Sequence, residues 1–318
     1  MGAVGLPPRQ GRRLSPRAGI SVVVPCLLRT PDDARLLHET LASVDAQSVA
    51  PLEVLVVDDG GPLEAAPVAA AHASARALRQ ANAGPALARN AAVRESRGEH
   101  LVFLDGDDLL HPHALAAGLA AFAERPDAVM VVGRHDDMHF DGTPTGVESG
   151  LPPAGQPLLV TLLNFDWYII PPSSCMMRRD AVDAVGAWRD PWGADDLDLY
   201  LRLACLGPVH CHGGPPVTRY RRYPQSSSRD GARMLHSVRT VYERFWPRVA
   251  GDAALEAAYH QGLARLVEIF QRALVENVEV RLAAGDLEGA RERARLLQRE
   301  NPALAREVLA GPLGRALV

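Results

Sequence analysis

No apolar run in the chain approaches the roughly 20 residues that a membrane-spanning helix needs. The first 18 residues hold Arg9, Arg12, Arg13 and Arg17 among prolines and glycines, and they lack the apolar centre of a secretory signal. Leu6 stands where a myristoylation motif requires Ser or Thr. Residues 1–18 therefore read as a disordered basic arm. The expected location is cytoplasmic, with peripheral contact at the inner membrane face as the alternative that the basic arm leaves open. Cysteine is scarce: Cys26, Cys175, Cys205 and Cys211 show no paired CxxC spacing, which suits a reducing compartment better than a disulfide scaffold. The cluster Cys205, His210, Cys211 and His212 fits no common zinc-finger spacing. A dominant charge is missing too. With 34 basic against 38 acidic residues and a formal charge of −4, nothing in the balance points to nucleic acid as a partner.

What is present is a composition able to bury a sizeable core. The 318 residues are 47% hydrophobic and 23% charged, enough for one large α/β domain plus an extension. Ile20–Pro25 is β-branched and stopped by proline, as a first buried strand would be. Ala34–Gln47 follows with Leu37, Leu41 and Val44 on one helical face. Leu52–Val57, Ala75–Arg79, Leu101–Leu104 and Ala128–Gly133 read as further strands. Leu63–Ala73, Pro85–Ser96 and Pro112–Glu124 read as the helices between them. This alternation predicts βαβ units and a mostly parallel sheet flanked by helices. Residues 134–160 look loop-rich, with a turn at Asp141-Gly142. A short strand is expected at Ser173–Met177, a helix near Arg179–Val185, a strongly amphipathic helix over Asp195–Leu206 with an Asp198–Arg202 pair, and a last strand over Val217–Tyr223. From about Gly231 the chain is helical almost to its end, and residues 285–310 look like one helix of a helical-repeat pair, with a helical extension packed on the main domain as the favoured reading.

The most informative segment is Leu101-Val102-Phe103-Leu104-Asp105-Gly106-Asp107-Asp108, in which an apolar strand ends abruptly in three carboxylates. A second pair, Asp58-Asp59, ends the 52–57 strand. In a parallel sheet both groups would face one crevice at the carboxyl ends of the strands. Carboxylates gathered there repel one another, and Mg2+ or Mn2+ would relieve the cost while suiting oxygen ligands. The alternative is that these aspartates cap turns or helices, Asp108 capping the helix that follows Pro112. Asp195-Asp196, at the start of an amphipathic helix, could likewise serve the helix macrodipole or supply a general base. In Asn82-Ala83-Gly84-Pro85-Ala86-Leu87-Ala88-Arg89-Asn90, backbone amides entering a helix could receive phosphate oxygens, with Arg89 adding charge.

Taken in order, Val-Val-Val-Pro (22–25), Val-Val-Asp-Asp-Gly-Gly (56–61), the Asn82–Asn90 stretch, Phe-Leu-Asp-Gly-Asp-Asp (103–108) and Asp-Asp-Leu-Asp-Leu-Tyr-Leu-Arg-Leu (195–203) resemble the family 2 inverting glycosyltransferases of bacterial type. Pro172–Arg179 and the closing Arg219–Ser228 are similar as well, so the resemblance runs from about Ile20 to Ser228. It implies a GT-A fold (Rossmann-like) over 19–228, with 229–318 as an α-helical C-terminal extension. It also implies that Asp58 and Asp59 hold the base and ribose region of a nucleotide-sugar and that Pro25, Asn82, Arg89 and Asp105 line its site. Asp105 and Asp107 would form a DxD motif, with Asp107 the direct ligand of Mg2+ or Mn2+. Asp196 would be the catalytic base and Asp195 an acceptor-side residue standing where Glu is usual. The chain departs from the pattern at Cys26-Leu27-Leu28-Arg29, where Val-Tyr-Asn-Arg is common, at Gly61, where Ser is usual, and at Tyr223, where His is frequent.

The expected activity is metal-dependent transfer of a sugar, most simply a hexose, to an acceptor hydroxyl from a nucleotide-diphosphate sugar, with a UDP-sugar favoured. The acceptor would be carbohydrate, lipid-linked or another hydroxyl compound. Its recognition is expected between the crevice and residues 134–193, where Trp192 or Trp188 could stack on a ring. The helical tail offers a surface for a homodimer or another partner. Two other classes share these features: a non-catalytic nucleotide-sugar-binding scaffold, and a sugar nucleotidyltransferase. The second would need a glycine-rich basic loop after the first strand, where this chain reads Cys26-Leu27-Leu28-Arg29-Thr30-Pro31.

Overall fold

Strand alternation sorts the core into two layers. In the computed structural model of the chain, residues 17–189, 193–223 and 229–317 are described, with side chains from Gly19 onward. The first half runs β1 (Arg17–Cys26), α1 (Pro31–Asp45), β2 (Glu53–Asp58), the one-turn α2 (Ala66–Ala69), β3 (Ala75–Arg79), α3 (Pro85–Glu95) and β4 (Gly98–Phe103). It continues through β5 (Leu109–Leu110), α4 (Ala114–Glu124), β6 (Met130–Val132), β7 (His135–Met138) and β8 (Pro144–Glu148). Then come α5 (Leu158–Leu163), β9 (Cys175–Arg178), α6 (Arg179–Ala184), α7 (Asp195–Leu206), β10 (Val209–Cys211) and β11 (Thr218–Arg221). Helices α8 (Gly231–Val249), α9 (Ala253–Ala283), α10 (Leu287–Glu300), α11 (Pro302–Leu309) and α12 (Pro312–Ala316) complete it.

The main sheet has seven strands in the order β10-β6-β9-β4-β1-β2-β3. β1 pairs in parallel with both β2 and β4, and β2 with β3. Only β9 runs antiparallel, between β4 and β6. On one face Val23, Leu55, Val57, Leu101 and Phe103 pack with α3 and α7. On the other Val22, Val24, Val54, Val56, Val102 and Leu104 pack with α1 and α4. This is the period of two that a strand buried on both sides requires. α1 starts at a complete capping box: Thr30 accepts from the Asp33 amide while the Asp33 carboxylate accepts from the Thr30 amide, and Pro31 takes the first turn.

The α/β architecture and the mostly parallel sheet agree with the sequence reading, and several local expectations are corrected. The first strand already includes Arg17 and Ala18, because Arg17 pairs with Gly98; the rest of the expected arm lies outside the described residues. The helix expected over 63–73 shortens to Ala66–Ala69, whose first turn holds Pro67. The loop-rich stretch after 134 contains the antiparallel pair β7–β8, joined at the expected Asp141-Gly142 turn. That pair belongs to a second, four-stranded sheet of order β5-β11-β7-β8. The single helix expected over 285–310 divides in two, since Pro302 cannot continue α10 and Asn301 caps α11 by accepting from the Leu304 amide.

The helical tail shares the core of the sheet. Val238, Val241, Tyr242, Phe245 and Leu266 join the same buried cluster as Val23 and Phe103. The Tyr242 hydroxyl donates to the Leu163 carbonyl at 2.6 Å, tying α8 to α5. α9 crosses α5 so closely that a Cβ on Gly262 would collide with that same carbonyl oxygen. No helix among the described residues is long and apolar enough to cross a membrane. Gly262→Ala should lower stability by about 1–3 kcal/mol, the usual cost of overpacking. Gly150→Ala, whose added Cβ meets nothing within 4 Å, should stay within about 0.5 kcal/mol. Urea denaturation of the two variants checks both.

Candidate active site

β1, β2 and β4 end side by side, and the loops that leave them carry the acidic residues. Pro25 is buried at the tip of β1, opposite Val57. Asp58, almost fully buried, accepts from the Gly60 and Ala65 amides and from Arg79 Nη1 at 2.6 Å. Asp59 accepts from the Ala83 and Gly84 amides at 2.9 and 2.8 Å and from Gln80 Nε2 at 2.8 Å. These carboxylates hold the two loops that wall the crevice. The loop amides at Ala83 and Gly84, expected to receive phosphate oxygens, are thus already taken by Asp59. Asn82 is exposed on the same loop. Gly61, where the resembled pattern has Ser, fits a physical need: a Cβ there would collide with the Leu28 carbonyl.

Arg89 joins the two acidic groups that the sequence places far apart. Its Nη2 donates to Asp105 Oδ1 at 2.7 Å and its Nη1 to Asp195 Oδ2 at 2.8 Å. The guanidinium lies over the Trp188 ring, 4.3 Å from its centroid, and Trp188 meets Phe103 of β4 edge to face at 4.9 Å. Burial alone would lower the Arg89 pKa, but Asp105 and Asp195 outweigh it and hold the group charged. Asn90, the next residue, donates to the Trp188 carbonyl at 2.8 Å and accepts from its amide at 3.0 Å. One turn of α3 therefore supplies both the bridge and the clamp that seats its aromatic platform. Trp188 is 2% exposed, so stacking on an acceptor ring is ruled out for it. Trp192 and the closing residues 224–228 lie outside the described residues.

Asp107 and Asp108 have different surroundings. Asp108 does not cap α4, whose first residue follows His113. It is fully buried and accepts from the Arg221 amide at 2.9 Å, and burial beside Asp107 pushes its carboxyl well up. Asp107 is half-buried and accepts from the Tyr223 hydroxyl at 2.6 Å. Burial and the neighbouring Asp105 raise its pKa, while Tyr223 and Arg221 pull it back. Since the chain contains no lysine, every fixed positive charge here is a guanidinium. No group of three or more His, Cys, Asp or Glu among the described residues could hold a metal ion by itself. Asp107 and Asp105 still fit a divalent cation: they are hard oxygen donors flanking Gly106, and their mutual repulsion is what a cation relieves. Such a site needs the diphosphate and water to fill the shell.

At the head of α7, Asp195 is committed to Arg89, while Asp196 accepts from the Leu197 amide at 2.7 Å. Burial, then the adjacent Asp195, raises the Asp196 pKa to about 7. The expected pair on the same helix forms as well, Arg202 Nε donating to Asp198 at 2.8 Å in the core. Glu39, Asn90 and Arg221 went unread in the sequence. Asn90 and Arg221 lay inside recognised motifs, whereas Glu39 reaches Arg221 only through the fold.

These features define a crevice at the carboxyl ends of the strands of an α/β protein, with two acidic centres bridged by one arginine. The sequence model described as Glycosyl transferase family 2 matches residues 21–186, more than half of the chain, and the chain belongs to that family. It is 32% identical over 198 residues to the uncharacterized protein y4gI of Sinorhizobium fredii, covering 60% of this chain and 21% of that protein. It is 30% identical over 230 residues to the O-antigen biosynthesis protein RfbC of Myxococcus xanthus, covering 69% of this chain and 17% of that protein. The chain spans about a fifth of the length of these relatives. Among solved structures, S. aureus TarS 1–349 is similar with a TM-score of 0.58 at 14% identity, covering 87% of this chain and 89% of that one. The mannosyltransferase PcManGT from Pyrobaculum calidifontis, in complex with GDP-Man and Mn2+, gives 0.57 at 18% identity, covering 98% and 84%. The fold is accordingly GT-A, as the motifs implied.

Removing the Arg89 bridge should be costly, because it strands the buried carboxylate of Asp195. Arg89→Met should destabilise the protein by about 3 kcal/mol, as loss of one partner of a buried ion pair does. Guanidinium chloride unfolding measures this.

Proposed function

We propose that this chain is a metal-dependent, inverting glycosyltransferase that moves a sugar from a nucleoside-diphosphate sugar to an acceptor hydroxyl. The observation that carries the reading is the Arg89 bridge, which sets Asp105 and Asp195 within one guanidinium of each other. Asp107 and Asp196 are then neighbours of a single crevice. Relatives and structural neighbours support sugar transfer: they include an O-antigen biosynthesis protein, TarS in complex with UDP-GlcNAc and a mannosyltransferase in complex with GDP-Man.

In this mechanism Pro25, Asp58, Asp59 and Asn82 wall the place for the base and ribose. Asp107, with Asp105 beside it, would hold Mg2+ or Mn2+. The bound cation supplies electrostatic stabilisation of the charge on the leaving diphosphate. Asp196 accepts the proton of the acceptor hydroxyl as that oxygen forms its bond to the anomeric carbon. The bond from that carbon to the diphosphate oxygen breaks on the opposite face, and its electron pair leaves with the diphosphate. A single displacement inverts the anomeric configuration. Asp195 keeps Arg89 in place and so fixes the position of Asp196 at the head of α7. The division of labour follows from surroundings: Asp195 is paired with Arg89 as a support, and Asp196, with a pKa of about 7, is matched to proton transfer near neutral pH.

Asp196→Asn should keep nucleotide-sugar affinity while kcat falls by about 10²–10⁴-fold, the usual worth of a general base. Full turnover in that variant would refute the assignment. The pH profile has a definite sign. A base with a pKa of about 7 is protonated and idle below that value, so the transfer rate should fall as pH drops through about 7 and level off above it. Thermal-shift screening of UDP- and GDP-sugars with Mn2+, followed by product analysis, separates transfer from binding without turnover and from nucleotidyl transfer, which would need a nucleoside triphosphate.

A further inference from the structure

The segment that closes over the acidic cluster ends in a contact that the proposed mechanism does not use. The Tyr223 hydroxyl donates to Asp107 Oδ2 at 2.6 Å. Two residues earlier, Arg221 is pinned as firmly as any side chain in the molecule. It is fully buried. Its Nε donates to the Asp107 carbonyl at 2.7 Å, its Nη1 to the Phe140 carbonyl at 2.5 Å and its Nη2 to Glu39 at 2.9 Å. Its backbone amide donates to Asp108 Oδ1, and the Asp108 carbonyl in turn accepts from the Thr40 hydroxyl. The backbone that follows the Asp107 side chain is therefore locked to β11 and α1. What remains to be set is the rotation of the Asp107 carboxylate, and Tyr223 supplies the hydrogen bond that sets it. The Tyr223 ring is seated edge to face against Phe140 at 5.7 Å, so the hydroxyl is delivered by a packed ring rather than by a free side chain.

Resting on the cation site proposed above, we infer that Tyr223 is a positioning residue for that site. It engages one oxygen of Asp107, fixes the carboxylate plane and leaves the other oxygen as a single-point ligand for the cation. Tyr223 acts through Asp107 and does not itself touch the metal. Hydrogen-bonded partners of metal ligands orient them, and their loss typically lowers metal affinity about 10–100-fold. A fixed, singly presented carboxylate suits an ion that takes the rest of its shell from diphosphate oxygens and water.

The test is Mn2+ titration of the full chain in the presence of UDP and, separately, of GDP, each against a nucleotide-only blank and read by the electron paramagnetic resonance signal of unbound Mn2+, for the wild-type protein and Tyr223→Phe. Phenylalanine keeps the ring and its Phe140 contact, so thermal melting should be nearly unchanged. Mn2+ affinity should drop about 10–100-fold. Equal or tighter Mn2+ binding by a folded Tyr223→Phe variant would overturn the role given to Tyr223 and leave the cation site standing. Absence of Mn2+ binding by the wild-type protein would instead overturn the cation site, and this inference with it.

Discussion

The buried guanidinium of Arg89 is the contact on which the site depends. It spans 106 residues of sequence to Asp195 and 16 to Asp105, and so touches both acidic centres. Its charge cannot be surrendered, because an arginine stays protonated in a protein. It therefore keeps a fixed positive charge between two carboxylates, of which Asp195 is buried. The aromatic face of Trp188 beneath it makes the arrangement rigid. Trp188 in turn rests on Phe103, the last residue of the strand that leads into Asp105.

This coupling explains why neighbouring acids take different roles. Asp195 and Asp196 are adjacent in sequence, yet one is paired with Arg89 and the other carries a pKa of about 7. Asp105, Asp107 and Asp108 differ in the same way: one is bound by Arg89, one by Tyr223, and one is buried against the Arg221 amide. Asp58 and Asp59 act further back and hold the crevice loops by accepting backbone amides. The acid-rich end of the sheet is thus a graded set of environments. In the proposed mechanism Asp107 serves the cation and Asp196 the proton.

Much of this was legible in the chain. Apolar runs at β1, β2 and β4 are long, β-branched and buried on both faces, so their pattern was clear, and each ends in a motif. Asp195–Leu206 was readable from helical spacing. Less visible were elements whose residues carry no alternation: β7 reads His-Asp-Asp-Met and β10 reads Val-His-Cys. They are strands because their backbones complete the two sheets, a tertiary effect that local propensity does not carry. Trp188 looked like an acceptor platform because a tryptophan before a candidate base invites that reading. Its true neighbours, Arg89 and Phe103, are brought to it only by the fold. Asp108 resembled a helix cap by position alone, but its partner is the backbone of a residue 113 positions away.

The most direct measurement is the crystal structure of the full chain with Mn2+ and a non-transferable nucleotide-sugar, collected at a wavelength where manganese scatters anomalously. The account predicts one anomalous peak bonded to an Asp107 oxygen and to the diphosphate, with the Asp196 carboxylate facing the anomeric carbon on the side away from the leaving group. A metal and nucleotide seated apart from Asp107, or an Asp196 turned away from the sugar, would contradict it.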